Sequence, residues 1–194
     1  MRKRKLIYGV GVNDADYVVA WRDKVTGKHI QCPYYTCWQN MIQRAYYQRH
    51  KDKRPTYQDV AVCEEWHSFM NFRSWMEQQD WQGKQLDKDI LVRGNKVYSP
   101  ETCVFVSSLV NSFMLDCGAT KGQYPTGVYF NKASSKLMAY CCNPFNGTRE
   151  YLGLFLCPQE AHLTWKKRKH ELACQLADMQ TDQRVAEALR IRYK

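Results

Sequence analysis

The sequence predicts an α+β protein in two parts. Three observations carry this. Apolar and aromatic residues recur at helical spacing between residues 38 and 76. Short runs of strand-forming residues, separated by turn residues, fill residues 127–155. A helical segment opened by Pro158 follows them. Helical period first and strand period later fits neither an all-α bundle nor a regular βαβ alternation.

The elements follow in order. Tyr17 to Trp21 (YVVAW) is strand-like, and Val25-Thr26-Gly27-Lys28 is a turn, so the first thirty residues read as hairpin structure. From Pro33 the period changes. Trp38, Met41, Ile42, Ala45 and Tyr46 lie on one face of a helix, which the polar stretch Gln48 to Pro55 ends. A second helix is predicted within CEEWHSFMNFRSWMEQQ, where Trp66, Phe69, Met70, Phe72 and Met76 form a broad apolar stripe with Trp75 beside it. A stripe of that kind belongs to the core. The segment from Leu86 to Phe113 reads as strand, polar loop, strand and helix, a ββα unit. Gly118 to Pro125 is Gly-rich and polar, a linker. Strands are then predicted at Gly127–Phe130, Lys136–Cys142 and Tyr151–Phe155, with turns at Lys132–Ser135 and Asn143–Thr148. Pro158 sits where a helix's first turn tolerates a missing N–H, and that helix runs through EAHLTWKKRKHELACQLADM. Thr181 to Lys194 is a further helical, mixed-charge segment. The predicted domains are residues 1–117, a linker over 118–124, residues 125–180, and a helical tail over 181–194.

Composition narrows the partners. The 194 residues carry a net charge of +10, which favours a polyanion because phosphate contacts release counterions. No window of about 18 apolar residues exists, so no membrane span is expected. The start, MRKRKLIYGVGV, has a basic cluster but too short an apolar run for a signal peptide. Nine cysteines are irregularly spaced with no Cys-x-x-Cys pair, so no structural zinc is expected. Together these predict reduced thiols and a cytoplasmic protein. Two further charge runs, Arg2–Lys5 and Lys166–His170, read either as phosphate contacts or as solvated faces.

The ββα segment, LDKDILVRGNKVYSPETCVFVSSLVNSF, places Asp87 on the first strand, Asn95 in the loop and Asn111 on the helix. The strands after the linker contribute Gly127-Val128-Tyr129, Lys136-Leu137-Met138-Ala139-Tyr140 and Tyr151-Leu152-Gly153-Leu154-Phe155, followed by Pro158-Gln159-Glu160-Ala161. Those blocks resemble the AP2 DNA-binding domain. With the ββα unit and the upstream Trp38…Met41…Arg44…Tyr46 and Tyr57…Trp66…Trp75-Met76 patterns, the chain resembles phage-encoded HNH homing-endonuclease-like proteins over residues 38–178. The resemblance implies an α+β fold: a ββα-metal (HNH-like) module with flanking helices, then a three-stranded sheet plus helix (AP2-like). It implies double-stranded DNA as partner, in a host cytoplasm.

In that family the ββα unit holds one divalent ion and cuts a phosphodiester. The matching positions here are Asp87 at the Asp, Lys88 at the His, Thr102 near the Asn before the second strand, and Asn111 near the helix Asn. Asp87 and Asn111 are the metal-ligand candidates for Mg²⁺ or Mn²⁺, and Asp87, Lys88, Asn95 and Asn111 the catalytic candidates. Hydrolysis needs an activated water and a charge clamp on the phosphate. Lysine is a poor base at neutral pH unless burial lowers its pKa. Asp89 is expected on the opposite face of the strand from Asp87. His67 is the nearest alternative base by sequence. In the AP2-like part, strand residues corresponding to the family's DNA contacts are Tyr129, Asn131, Lys136 and Tyr140, with Lys132 able to reach phosphate. Most of the family's strand arginines and tryptophans have no counterpart. Three readings stand: a metal-dependent nuclease or nickase, a degenerate relative that only binds DNA, and an interaction protein acting on a host enzyme.

Overall fold

The computed structural model describes residues 5–115 and 123–194. It is a mixed α+β chain whose β-structure is confined to small sheets. The chain divides into two compact units, Met1–Ser107 and Ser108–Lys194. The predicted linker, residues 118–124, lies outside the described residues except for its last two positions, as do Cys117 and the basic residues Arg2–Arg4.

The first unit opens with a hairpin of β1 (Ala20–Arg22) and β2 (His29–Gln31), paired antiparallel with Trp21 opposite Ile30. Helix α1 (Pro33–Tyr46) begins with proline in its first turn and buries Tyr35, Trp38, Met41, Ile42 and Ala45 on one face. The polar stretch after it forms a short helix, α2 (Gln48–Lys53), with no buried residue. Strand β3 (Ala61–Val62) precedes a 3-10 turn over Glu64–His67 and helix α3 (Phe69–Glu77). The single helix expected from Cys63 to Gln79 is thus broken at Ser68. The physical reason is local. The Val12 backbone N–H donates to His67 O, and Phe69 N–H donates to Val12 O, so the chain there pairs as an extended strand. Ser68 then caps α3 by accepting from Asn71 N–H. Asp14 reinforces the cap, taking Ser68 Oγ–H at 2.6 Å and Met70 N–H at 2.9 Å.

The core of this unit is aromatic: Trp38, Trp66, Phe69 and Phe72 are fully buried. Trp38 Nε1–H donates to Trp66 O at 2.7 Å, which fixes α1 against the 3-10 turn. Strand β4 (Gln85–Asp87) pairs antiparallel with β6 (Val104–Val106), with Asp87 opposite Val104. Between them, β5 (Val97–Tyr98) pairs parallel with β3 instead. The loop after Asp87 is therefore pinned at its far end to a different sheet.

The second unit contains α4 (Ser108–Met114), strands β7 (Val128–Asn131), β8 (Lys136–Cys142) and β9 (Arg149–Phe155), and helices α5 (Pro158–Asp178) and α6 (Gln183–Arg192). The strands form one antiparallel sheet in the order β7-β8-β9. Val128, Leu137 and Ala139 turn inward and pack with Ala161 of α5. Arg168 of α5 holds Glu150 of β9 through two hydrogen bonds, at 2.6 and 3.1 Å. Asn143 adds a third bond to Glu150, and the carboxyl is lowered to about 2, mainly by Arg168. Helix α6, capped by Asp182, packs on α5 through Val185, Ala186 and Leu189. Tyr193 O–H donates to Phe113 O, and Arg192 to Met114 O, tying the end of the chain to α4.

Gly127 enters β7 at φ +84, and a Cβ there would lie 2.2 Å from the Trp165 ring. Gly127→Ala must therefore both strain the backbone and displace the indole. It should cost about 3 kcal/mol of unfolding free energy, read by urea titration. An unaltered midpoint would show that Trp165 can move aside freely.

Candidate functional site

The predicted site residues are shared between the two units. Asp87, Lys88 and Asn95 belong to the first unit, whereas Asn111 lies on α4 in the second.

At Asp87 the strand ends. Its Oδ1 accepts the backbone N–H groups of Asp89 and Ile90, both at 2.8 Å. This is the side chain of a turn-forming aspartate. Residues two apart share a strand face, and Asp89 approaches Asp87 instead of pointing away, which corrects the expected opposite-face placement. Burial raises the Asp87 carboxyl above the ordinary carboxylate range, and the Asp89 charge raises it further. Lys88 is buried, 8% exposed. Its Nζ donates to Asp89 Oδ2 at 2.9 Å and to Asn95 O at 3.2 Å, and it stands 5.9 Å from the Tyr98 ring centre. Asn95 closes the loop. Its Nδ2 donates to Lys88 O at 2.6 Å and to Val97 O at 2.7 Å, while its Oδ1 accepts Val97 N–H. Thr102 Oγ1–H also donates to Val97 O.

This donor set is a poor fit for a divalent cation. One oxygen of Asp87 already serves two amides, the Asn95 carbonyl oxygen serves another, and an ammonium already occupies the Asp89 carboxylate. A resident cation held by the chain itself competes with any metal for that carboxylate. His67, the alternative base, has its Nε2 3.2 Å from Tyr46 Oη, whose oxygen also accepts Val62 N–H. That makes His67 part of a core network. Among the described residues no three His, Cys, Asp or Glu side chains come together as a metal-ligand group. Burial raises the Cys37 and Cys103 thiols to about 12 and Cys141 to about 11, so these three stay protonated at neutral pH.

The predicted residues on the β7–β9 sheet converge. Strand alternation puts Tyr129, Asn131, Lys136, Met138 and Tyr140 on the face of the sheet away from α5. Tyr151 and Arg149 join them from β9. The three tyrosine rings form a ladder, 6.1 Å from Tyr129 to Tyr140 and 5.5 Å from Tyr140 to Tyr151. Tyr129 and Tyr151 are 46% and 54% exposed. Arg149 lies over two of the rings, its guanidinium carbon 4.1 Å from the Tyr129 centre and 4.4 Å from the Tyr140 centre. Residues 128–155 contain one acid, Glu150, and it faces α5. The exposed face therefore holds Arg149 and Lys136, with Lys132 in the adjoining turn, and no carboxylate. Asn131 Oδ1 accepts Ala133 N–H, so its carbonyl holds the turn and its amide N–H₂ is turned to Met138 Sδ.

Arg149 and Tyr151 were not among the predicted contacts. The strand predicted from Tyr151 begins two residues too late, so Arg149 falls between it and the Asn143–Thr148 turn. Its parity with Tyr151 would have placed it on the same face. The basic run on α5 divides: Arg168 is committed to Glu150 and Glu171, and Lys169 lies 3.4 Å over the Phe113 ring centre. His162 packs on Trp165 and bonds Thr126 O.

No helix among the described residues is long and apolar enough to cross a membrane. Comparison with protein-family models, curated proteins and solved structures finds no match to this chain.

Because the folded state raises the Asp87 pKa, it holds that proton where the unfolded chain has released it. Stability then falls as pH rises through the window above the ordinary carboxylate value. Asp87→Asn keeps an oxygen for both amides and removes the repulsion with Asp89. At pH 7 it should unfold at the same or higher urea concentration than the parent, with the difference closing in acid. Asp87→Ala should instead lose about 2 kcal/mol by leaving two amides unpaired. An Asn variant as weak as the Ala variant would mean that the ionised form is the stabilising one.

Proposed function

We propose that this chain is a DNA-binding protein of the phage HNH/AP2 endonuclease-like kind, in which the sheet of the second unit contacts double-stranded DNA and the ββα loop is a structural relative of a nuclease site. The observation that carries the reading is Arg149, held over Tyr129 and Tyr140 on a face without a carboxylate.

Guanidinium presents N–H donors in a fixed plane that matches a phosphate or the O6/N7 edge of guanine. Stacking on two rings immobilises that plane before binding, which lowers the entropic cost of recognition. Lys132 and Lys136 supply phosphate contacts beside it, and the Asn131 amide N–H₂ is a donor for a base edge. A β-ribbon can enter the major groove with one face, and α5 covers the opposite face of this sheet.

The geometry of Asp87, Lys88 and Asn95 favours binding without cleavage. Lys88 is buried and held by Asp89 and the Asn95 carbonyl, which supports a role in forming the loop. Host-protein engagement remains the alternative use of the same aromatic face, which would bind no DNA.

A gel-shift on duplex DNA tests this. Arg149→Ala should weaken binding about ten-fold or more, and Arg149→Lys should recover little, because an ammonium neither stacks flat nor forks. Lys136→Ala should flatten the salt dependence by about one unit of log–log slope. Binding should survive EDTA. A supercoiled plasmid cut in Mg²⁺ or Mn²⁺ by the parent but not by Asp87→Ala would replace this reading with the nuclease one.

A further inference from the structure

A second surface, on the first unit, has the same chemical character and is not used by the sheet. The β1–β2 hairpin is a narrow two-stranded ribbon. Its base is fixed: Cys32 N–H donates to Val19 O, and Gln31 Nε2 donates to Gln39 Oε1 on α1. Its turn is fixed too, with Asp23 Oδ1 accepting Val25 N–H, Thr26 N–H and Thr26 Oγ1–H, and Gly27 at φ +66.

Between base and turn almost nothing is buried. Trp21 and Ile30 are cross-strand partners and are 46% and 37% exposed. By alternation they share the face opposite to Gln31, whose side chain is turned to α1. Val25 at the tip is almost fully exposed. A large indole paired with an isoleucine on open solvent is costly in a two-stranded ribbon, which has little other stabilisation. Beyond this apolar pair, in the turn, stand Lys24 and Lys28, with Arg22 on the ribbon's other face by alternation; none of the three forms an ion pair among the described residues. The one acid of the ribbon, Asp23, is spent on its own turn.

We propose that the β1–β2 hairpin is a DNA arm: the ribbon lies along the minor groove, Trp21 and Ile30 wedge against a base step, and Lys24 and Lys28 meet the flanking phosphates. An apolar wedge flanked by cations matches DNA better than it matches a protein groove, because Lys24, Lys28 and Arg22 outnumber the ribbon's one carboxylate, Asp23, and that excess of positive charge calls for a polyanion. Wedging partially unstacks one step and bends the duplex, so the arm gives the chain a shape preference that the sheet face alone does not supply. The assignment concerns the first unit only and uses no residue of the β7–β9 face.

The test uses the full chain and a short duplex labelled with a donor and an acceptor fluorophore at its ends. The parent should bind and raise energy transfer by bending the duplex. Trp21→Ala should weaken binding about ten-fold and abolish the bend, whereas Trp21→Phe should keep the bend. Lys24→Gln and Lys28→Gln should each flatten the salt slope by about one unit. Trp21 is exposed, so circular dichroism of the Ala variant should match the parent. Parent-like affinity and bending in Trp21→Ala would overturn the arm while leaving the sheet reading intact. An Arg149→Ala variant that binds normally beside a defective Trp21→Ala would overturn the sheet reading and leave the arm. A parent that binds no duplex would overturn both.

Discussion

One helix can cover only one face of a three-stranded sheet. Helix α5 covers the face of Val128, Leu137 and Ala139, and the Arg168–Glu150 pair locks it there. Everything else about the second unit follows from that asymmetry. Polar burial is spent on the covered side, where Glu150 is the only acid of the sheet. The uncovered side is left with tyrosines and cations. A face of that composition gains little from being dry and much from meeting an anion that also offers flat surfaces to stack on.

The first unit solves a different problem. Its sheets have two strands each and cannot form a core alone. Stability comes from the aromatic cluster around Trp38 and Trp66, with the Trp38–Trp66 hydrogen bond satisfying a polar group that would otherwise be costly inside. The ββα loop is an annex to that core. Asp87, Lys88 and Asn95 satisfy one another and the local backbone so fully that few donors or acceptors remain for an outside ligand. The buried Lys88 side chain, held by the Asp89 carboxylate and the Asn95 carbonyl, ties the two ends of the loop together.

Much of the fold was legible because periodicity survives in it. The stripe Trp38, Met41, Ile42, Ala45 is the buried face of α1, and β8 has the bounds read from Lys136 to Cys142. What was not legible depended on distant contacts. The break at Ser68 comes from Val12, which pairs with the chain there from more than fifty residues away. Strand β5 is called away by β3, a parallel partner that no local pattern announces. At the candidate sites, the sequence named residue types but not their partners. That Asp87 is occupied by two amides and that Arg149 lies across two rings are facts of turn geometry and side-chain reach, whereas the nearness of Asp89 to Asp87 follows from the parity of the strand.

The sheet also carries an irregularity between Ala139 and Tyr140, where β9 has one residue more than β8, and Gly153 takes φ +128 beside it. Before it, odd-numbered residues of β9, Arg149 and Tyr151, point outward. After it, the even-numbered Leu154 does so, opposite Met138. The bulge acts as a phase shifter in the strand. It uncouples the half that presents the arginine and tyrosine from the half that seats Phe155 with the core. The two halves then meet different demands: in the first, Glu150 alternates with the outward Arg149 and Tyr151 and anchors α5 by charge, and in the second Phe155 anchors it by apolar contact.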